Sequence, residues 1–115
     1  MIDIKSLETK LEKLPSEIYE AEKLVITAKA EVEVAKIEHQ CAYADALIRA
    51  DAPNATEKKA MAELASKTEK MNILTSQVLY EQENAKLTAL NNQFTGLRKI
   101  GSIETELMRV KVSGN

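Results

Sequence analysis

Starting at Ile4, alternating steps of three and four residues reach Leu7, Leu11, Leu14, Ile18, Ala21, Val25, Ala28, Val32, Ala35, His39, Ala42 and Ala46. All of these but His39 are apolar. A 3.5-residue repeat held this long marks a helix packed along a seam, and it predicts a helix over about residues 4–50. Pro15 falls inside the repeat without shifting it. Proline removes a helical hydrogen bond and crowds the preceding turn. The pattern therefore predicts either a kink at Pro15, or a short helix that ends there and a longer one with Pro15 in its first turn. A second stripe, Ala30, Val34, Ile37, Cys41, Ala44 and Ile48, runs beside the first. The two together make an apolar face too wide for one neighbour. The expected neighbours are the second half of the chain and another subunit.

The strongest turn signal in mid-chain is ADAPNATEKKA, residues 50–60. The residue before Pro53 is biased away from the helical region. Asn54 or Thr56 can cap a second helix, and Asn54 with Glu57 has capping-box spacing, so a turn over about residues 51–55 precedes a helix starting near Thr56. A connection this short brings the second helix back antiparallel to the first. Its apolar side reads as Ala60, Met61, Leu64, Ala65, Thr68, Met71, Leu74, Val78, Ala85 and Ala89, with Leu87, Leu90, Phe94 and Leu97 on a drifting face. This second helix is expected over about residues 56–100. In FTGLRKIGS, residues 94–102, Gly101 suits the left-handed position just past a helix end, and Arg98 and Lys99 suit a last turn. Gly96 reads either as a close-approach position or as a residue that weakens that turn. Ser102 then caps a short helix over about residues 103–110, and residues 112–115 form a frayed tail. The expected fold is all-α: a long antiparallel helical hairpin, coiled-coil-like, with a short C-terminal helix, forming one helical domain and a homo-oligomer.

Composition agrees with long helices. The chain has 115 residues, of which 44% are apolar and 30% charged, and its net charge is −2. The apolar share is too high for disorder at so small a net charge. Residues 1–51 hold 11 acids and 7 bases, and residues 52–115 hold 7 acids and 9 bases. That mild asymmetry is no broad nucleic-acid footprint on a single chain. One cysteine, Cys41, rules out an internal disulfide. The N-terminal stretch MIDIKSLETK has no signal-peptide pattern, and no apolar run is long enough to span a membrane. The expectation is a soluble cytoplasmic protein.

Candidate chemistry is sparse. His39 is the single histidine, and it reads as a polar, register-setting residue in the seam. His39 and Cys41 are two apart and do not share a helix face, so no metal site is expected. There is no glycine-rich phosphate loop and no nucleophile elbow. Long helices offer little concave pocket, so neither an enzyme nor a cofactor is expected. Phe94, Arg98, Lys99, Arg109 and Lys111, with Lys86 nearby, form a basic, aromatic-containing C-terminal group. Such a group can follow a single strand by charge and base stacking, and self-assembly would multiply it. The positions expected at helix or subunit interfaces are Leu7, Leu11, Leu14, Ile18, Val25, Val32, Val34, Ile37, Ile48, Leu64, Met71 and Val78.

An Ala-rich first helix with EAEKLVITAKAEVEVAK, a short turn, and a second helix closing in LNNQFTGLRKIGSIETELM resemble small helical early proteins of tailed phages. Some of these look like recombination mediators of the UvsY kind. That resemblance implies a helical protein that self-assembles, binds single-stranded DNA and helps to load a recombinase. Two readings follow for function. One is a non-enzymatic, self-assembling protein that organises single-stranded DNA or a recombination or replication protein. The other is an adaptor, inhibitor or assembly subunit that works through its helical faces without nucleic acid.

Overall fold

A computed structural model describes residues 3–113, all-α in architecture. Its helices are α1, Ile4–Arg49, α2, Ala55–Ala65, and α3, Lys67–Ser113. Asp3 opens α1: its side chain accepts from the Lys5 N–H at 3.2 Å and its carbonyl from the Leu7 N–H at 3.0 Å. Asn54 caps α2, its side-chain oxygen accepting from the Glu57 N–H at 2.8 Å. A polar side chain at this position satisfies a helix-start donor that would otherwise lack a partner.

Two boundaries differ from the sequence expectation, and one alternative is decided. Pro15 lies within α1 and does not divide it, so no short helix ends there. The missing N–H removes one bond of the helix ladder, while the apolar seam on either side holds the flanking turns. The second helix is divided at Ser66, which has φ −101° and ψ 14°. The Ser66 hydroxyl donates to the Ala62 carbonyl at 2.8 Å, and its N–H donates to the same carbonyl at 3.0 Å. Such back-bonding competes with regular helix geometry. The second difference is at Gly101, which continues α3; neither Gly96 nor Gly101 has a positive φ. No separate helix over residues 103–110 exists, and Arg98 and Lys99 lie within α3 rather than in its last turn. A glycine inside a helix costs only about 1 kcal/mol relative to alanine. Leu, Arg, Lys, Ile, Glu and Met around it favour helix and outweigh that cost. Val112 and Ser113 are helical, whereas the rest of the expected tail, Gly114 and Asn115, lies outside the described residues.

Chain contacts define two units. Unit 1 combines the residues up to Lys23 with those from Asn84 onward, and unit 2 is Leu24–Glu83. In unit 1, Leu7 and Leu14 are buried, Leu11 and Ile18 half-buried, and Ala21 buried. Opposite them, Leu87, Leu90, Phe94 and Leu97 are half-buried, and Leu7 Cδ2 lies 3.6 Å from where a Cβ on Gly101 would stand. A Cβ on Gly96 would touch nothing within 4 Å, so Gly96 serves no close approach.

In unit 2, Ala28, Val32 and Ala35 are buried, with Val25, His39, Ala42 and Ala46 half-buried. Residues 29–36 share a cavity with residues 77–81, and His39 and Tyr43 share one with Glu63, Lys67 and Lys70. The two walls therefore run antiparallel. The inner line of the second wall is Ala62, Ser66, Glu69, Ile73, Ser76, Tyr80 and Glu83, all buried or half-buried. Ala62 is 0% and Ser66 1% exposed. Met61, Leu64, Met71, Leu74 and Val78, read from the sequence as the apolar side of the second helix, do not line the seam within the chain; these are 45–75% exposed. Small residues on both walls, Ala28, Ala35 and Ala42 against Ala62, Ser66 and Ser76, permit close helix approach, and helix separation depends on the side chains at the contact.

One seam group is costly. Glu69 Oε2 is buried without a hydrogen-bond partner. A buried polar atom left unpaired costs about 1–3 kcal/mol. Part of this is offset, because Glu69 sits in the first turn of α3, where a negative charge is favourable by about 0.3–1 kcal/mol. Glu69→Leu is expected to raise stability by about 1 kcal/mol, read as a higher urea midpoint at unchanged slope. An unchanged or lower midpoint would mean that the carboxylate is well satisfied.

Candidate functional site

The basic C-terminal group is not gathered as its sequence spacing suggested. Phe94 lies on the inner line of α3 and is half-buried, so only part of its ring faces solvent. The reason is helical phase: Leu87, Leu90, Phe94 and Leu97 alternate by three and four and share one face. The Arg98 guanidinium lies 5.7 Å from the centre of the Phe94 ring. A cation over an aromatic face gains about 0.5–1 kcal/mol at an exposed site. Arg98 and Lys99, both exposed, line a shallow depression of about 250 Å³ with Thr95 and Ser102. Arg109 pairs with Glu106 at 3.5 Å, within the same helix. Lys111 is exposed two residues further on. The structure thus brings Arg98 and Lys99 together, places Phe94 beneath Arg98, and sets Arg109 beside an acid.

Arg98 also borders a groove of about 660 Å³ in unit 1, with Ile4, Leu7, Leu11, Gly101 and Met108 among its walls. Glu8, Glu104 and Glu106 line it as well. Sequence reasoning missed this groove because it treated Gly101 as a helix end. A glycine within the seam, lacking a side chain, leaves the space open.

In unit 2, His39 is half-buried, and its ring centre is 6.3 Å from that of Tyr43, with the planes tilted by 39°. Both border a cavity of about 390 Å³ with Glu63, Lys67 and Lys70. Among the described residues, no group of three or more His, Cys, Asp or Glu stands close enough to hold a metal ion. No helix among them is long and apolar enough to cross a membrane.

The expected interface positions divide cleanly. Leu7, Leu14 and Val32 are buried, and Leu11, Ile18 and Val25 half-buried. Val34, Ile37 and Ile48 are 52%, 58% and 85% exposed, and Leu64, Met71 and Val78 are 75%, 54% and 53% exposed. The first group closes the chain on itself. The second forms open apolar stripes on the outer faces of α1 and of α2 with α3.

The fold and these faces define a class: an all-α protein built on paired helices, with helical surfaces rather than an enclosed pocket as its exposed chemistry. Comparison of the chain with family models, curated proteins and solved structures gives no significant match.

Proposed function

We propose that this chain is a non-enzymatic, self-assembling helical protein whose working surfaces are the outer faces of its helices. One observation carries the reading. In unit 2 the outer face of α1 is apolar from Ala30 to Ile48, whereas the equivalent outer positions of α1 in unit 1 are Thr9, Lys13, Ser16, Glu20 and Lys23. Isolated apolar residues on a surface need no explanation, but a continuous stripe confined to one segment marks an interaction site. Partners of this class are further copies of the chain or the helices of another protein, such as a recombination or replication protein.

A second reading is favoured by Arg98 and Lys99, exposed on one face beside Thr95 and Ser102. Repeated through an assembly, this small basic face would contact the phosphates of single-stranded DNA. It is a reading based on charge alone, because Phe94 belongs to the seam.

Light scattering and fluorescence anisotropy on one sample test both readings. A mass above that of the single chain at micromolar concentration is expected. A monomer at every concentration would remove the self-assembly reading. Binding of a labelled single strand that weakens steeply with salt, and is lost in Arg98→Ala/Lys99→Ala, would favour the nucleic-acid reading. No binding at low salt would leave protein partners alone.

A further inference from the structure

Resting on the self-assembly reading, we infer that the occupant of the outer α1 stripe is the outer α2–α3 stripe of a second copy, so that copies join head to tail rather than about a two-fold axis. Both stripes lie in unit 2. The first is Ala30, Val34, Ile37, Cys41, Ala44 and Ile48; the second is Met61, Leu64, Thr68, Met71, Thr75 and Val78. Each advances by alternating steps of three and four, contains no charge, and is exposed at every position. Each falls on the side of its helix away from the inner seam, because its positions are offset by two residues from the buried ladder, a rotation of about 200°.

The two stripes also match in length and level. Within the unit, His39 and Tyr43 stand opposite Glu63, Lys67 and Lys70, and Val32 stands opposite Gln77 and Tyr80. The α1 stripe therefore covers the same stretch of the pair as the α2–α3 stripe. A neighbouring copy placed alongside, in the same orientation and without axial shift, sets one stripe antiparallel against the other.

Charge decides which stripe meets which. The positions that flank the α1 stripe on its two edges carry Glu31, Glu33, Glu38 and Asp45, and no base. Those that flank the α2–α3 stripe between Lys58 and Leu79 carry Lys58 and Lys67, and no acid. All six are exposed. Glu33 and Asp45 also pair with Lys36 and Arg49 on α1, at 3.4 and 3.2 Å, through exposed contacts that a neighbour can share. Packing α1 on α1 would set four acids against four. Packing it on the lysine-edged stripe replaces that repulsion with attraction, and like-charge juxtaposition is a strong device against a wrong partner. An interface between two different patches does not end at two copies: it closes into a ring or continues as a filament.

Disulfide trapping tests the arrangement, since Cys41 is the single cysteine and lies in the α1 stripe. Thr68→Cys adds a thiol at the same level of the opposite stripe. Under mild oxidation this variant is expected to give a ladder of dimers, trimers and higher species on a non-reducing gel, and the unmodified chain none. Ile37→Ser, in the Thr68→Cys background, is expected to weaken the ladder at unchanged helicity. A dimer from the unmodified chain would show Cys41 against Cys41 and overturn the inference in favour of a two-fold α1 contact. A Thr68→Cys variant that stops at dimers, or that closes a disulfide within one chain, would also overturn it. So would a stronger ladder from Thr75→Cys, one heptad away, because the level would be wrong. An oligomer by light scattering that gives no ladder would sink the head-to-tail arrangement while leaving self-assembly standing; a monomer by light scattering would sink both.

Discussion

Val32→Glu is expected to abolish the pairing of helices in unit 2. Val32 is 7% exposed and lies on the inner line of α1, between Ala28 and Ala35, which are 4% and 6% exposed. A carboxylate there loses most of its water, and the bases that border the same cavity, Lys29 and Lys36, are exposed and offset only part of that loss, while the opposite wall carries Ser76, Tyr80 and Glu83. An unpaired buried charge costs several kcal/mol. Domains of this size have only about 5–15 kcal/mol of stability to lose. Circular dichroism should therefore show a large drop in helicity at 25 °C, or a urea midpoint lowered by more than half. Val34→Glu, two residues away and on the outer stripe at 52% exposure, is the matched control. It should leave helicity unchanged and lower only the mass of any assembly. A Val32→Glu chain with native helicity and midpoint would show that the buried face of α1 has been misassigned.

Leu14→Ala carries the second large effect, in unit 1. Leu14 is 4% exposed, and among the described residues of that unit it and Leu7 are the buried large side chains. Truncating a buried leucine typically costs about 2–5 kcal/mol, through lost burial and the cavity left behind. The cost here should fall in the upper part of that range, because a two-helix layer has few neighbours that can collapse into the gap. Pro15 follows directly, and the helix ladder already lacks one bond there. Thermal unfolding followed by circular dichroism is the measurement. Ile48→Ala, at 85% exposure, should change stability by less than about 0.5 kcal/mol. Equal effects from the two substitutions would mean that burial does not govern stability in this chain.

Much of the architecture was legible because it follows from local periodicity. The ladder from Leu7 to Ala46 is apolar apart from His39, and every position on it is buried or half-buried. The Asn54 cap was legible because capping needs only a polar side chain three residues before the N–H it serves. The inner face of the second wall was not legible. Its ladder holds Ser66, Glu69, Ser76 and Glu83, whereas the outer ladder holds Met61, Leu64, Met71 and Val78. Hydrophobicity alone chooses the wrong one. A helix has a single phase, however, and in α3 Leu87, Leu90, Phe94 and Leu97 lie on the same alternating three-and-four ladder as Glu69, Ile73 and Tyr80. Packing then favours small residues opposite the alanines of α1. The same rotation turned Phe94 inward and left exposed the apolar stripe that the sequence had marked as the side of contact.

The sequence by itself determined the helical class, the turn after Ala50 and the seam of α1, because each depends on backbone preference or on the spacing of residues near in the chain. Tertiary structure decided which face of the second wall lies inside, whether Gly101 ends a helix, and which apolar stripes are left open. Those outcomes depend on fit between segments distant in sequence. There a buried alanine or serine at a close contact is favoured over a larger apolar side chain, and a glycine is held helical by the seam on which it packs.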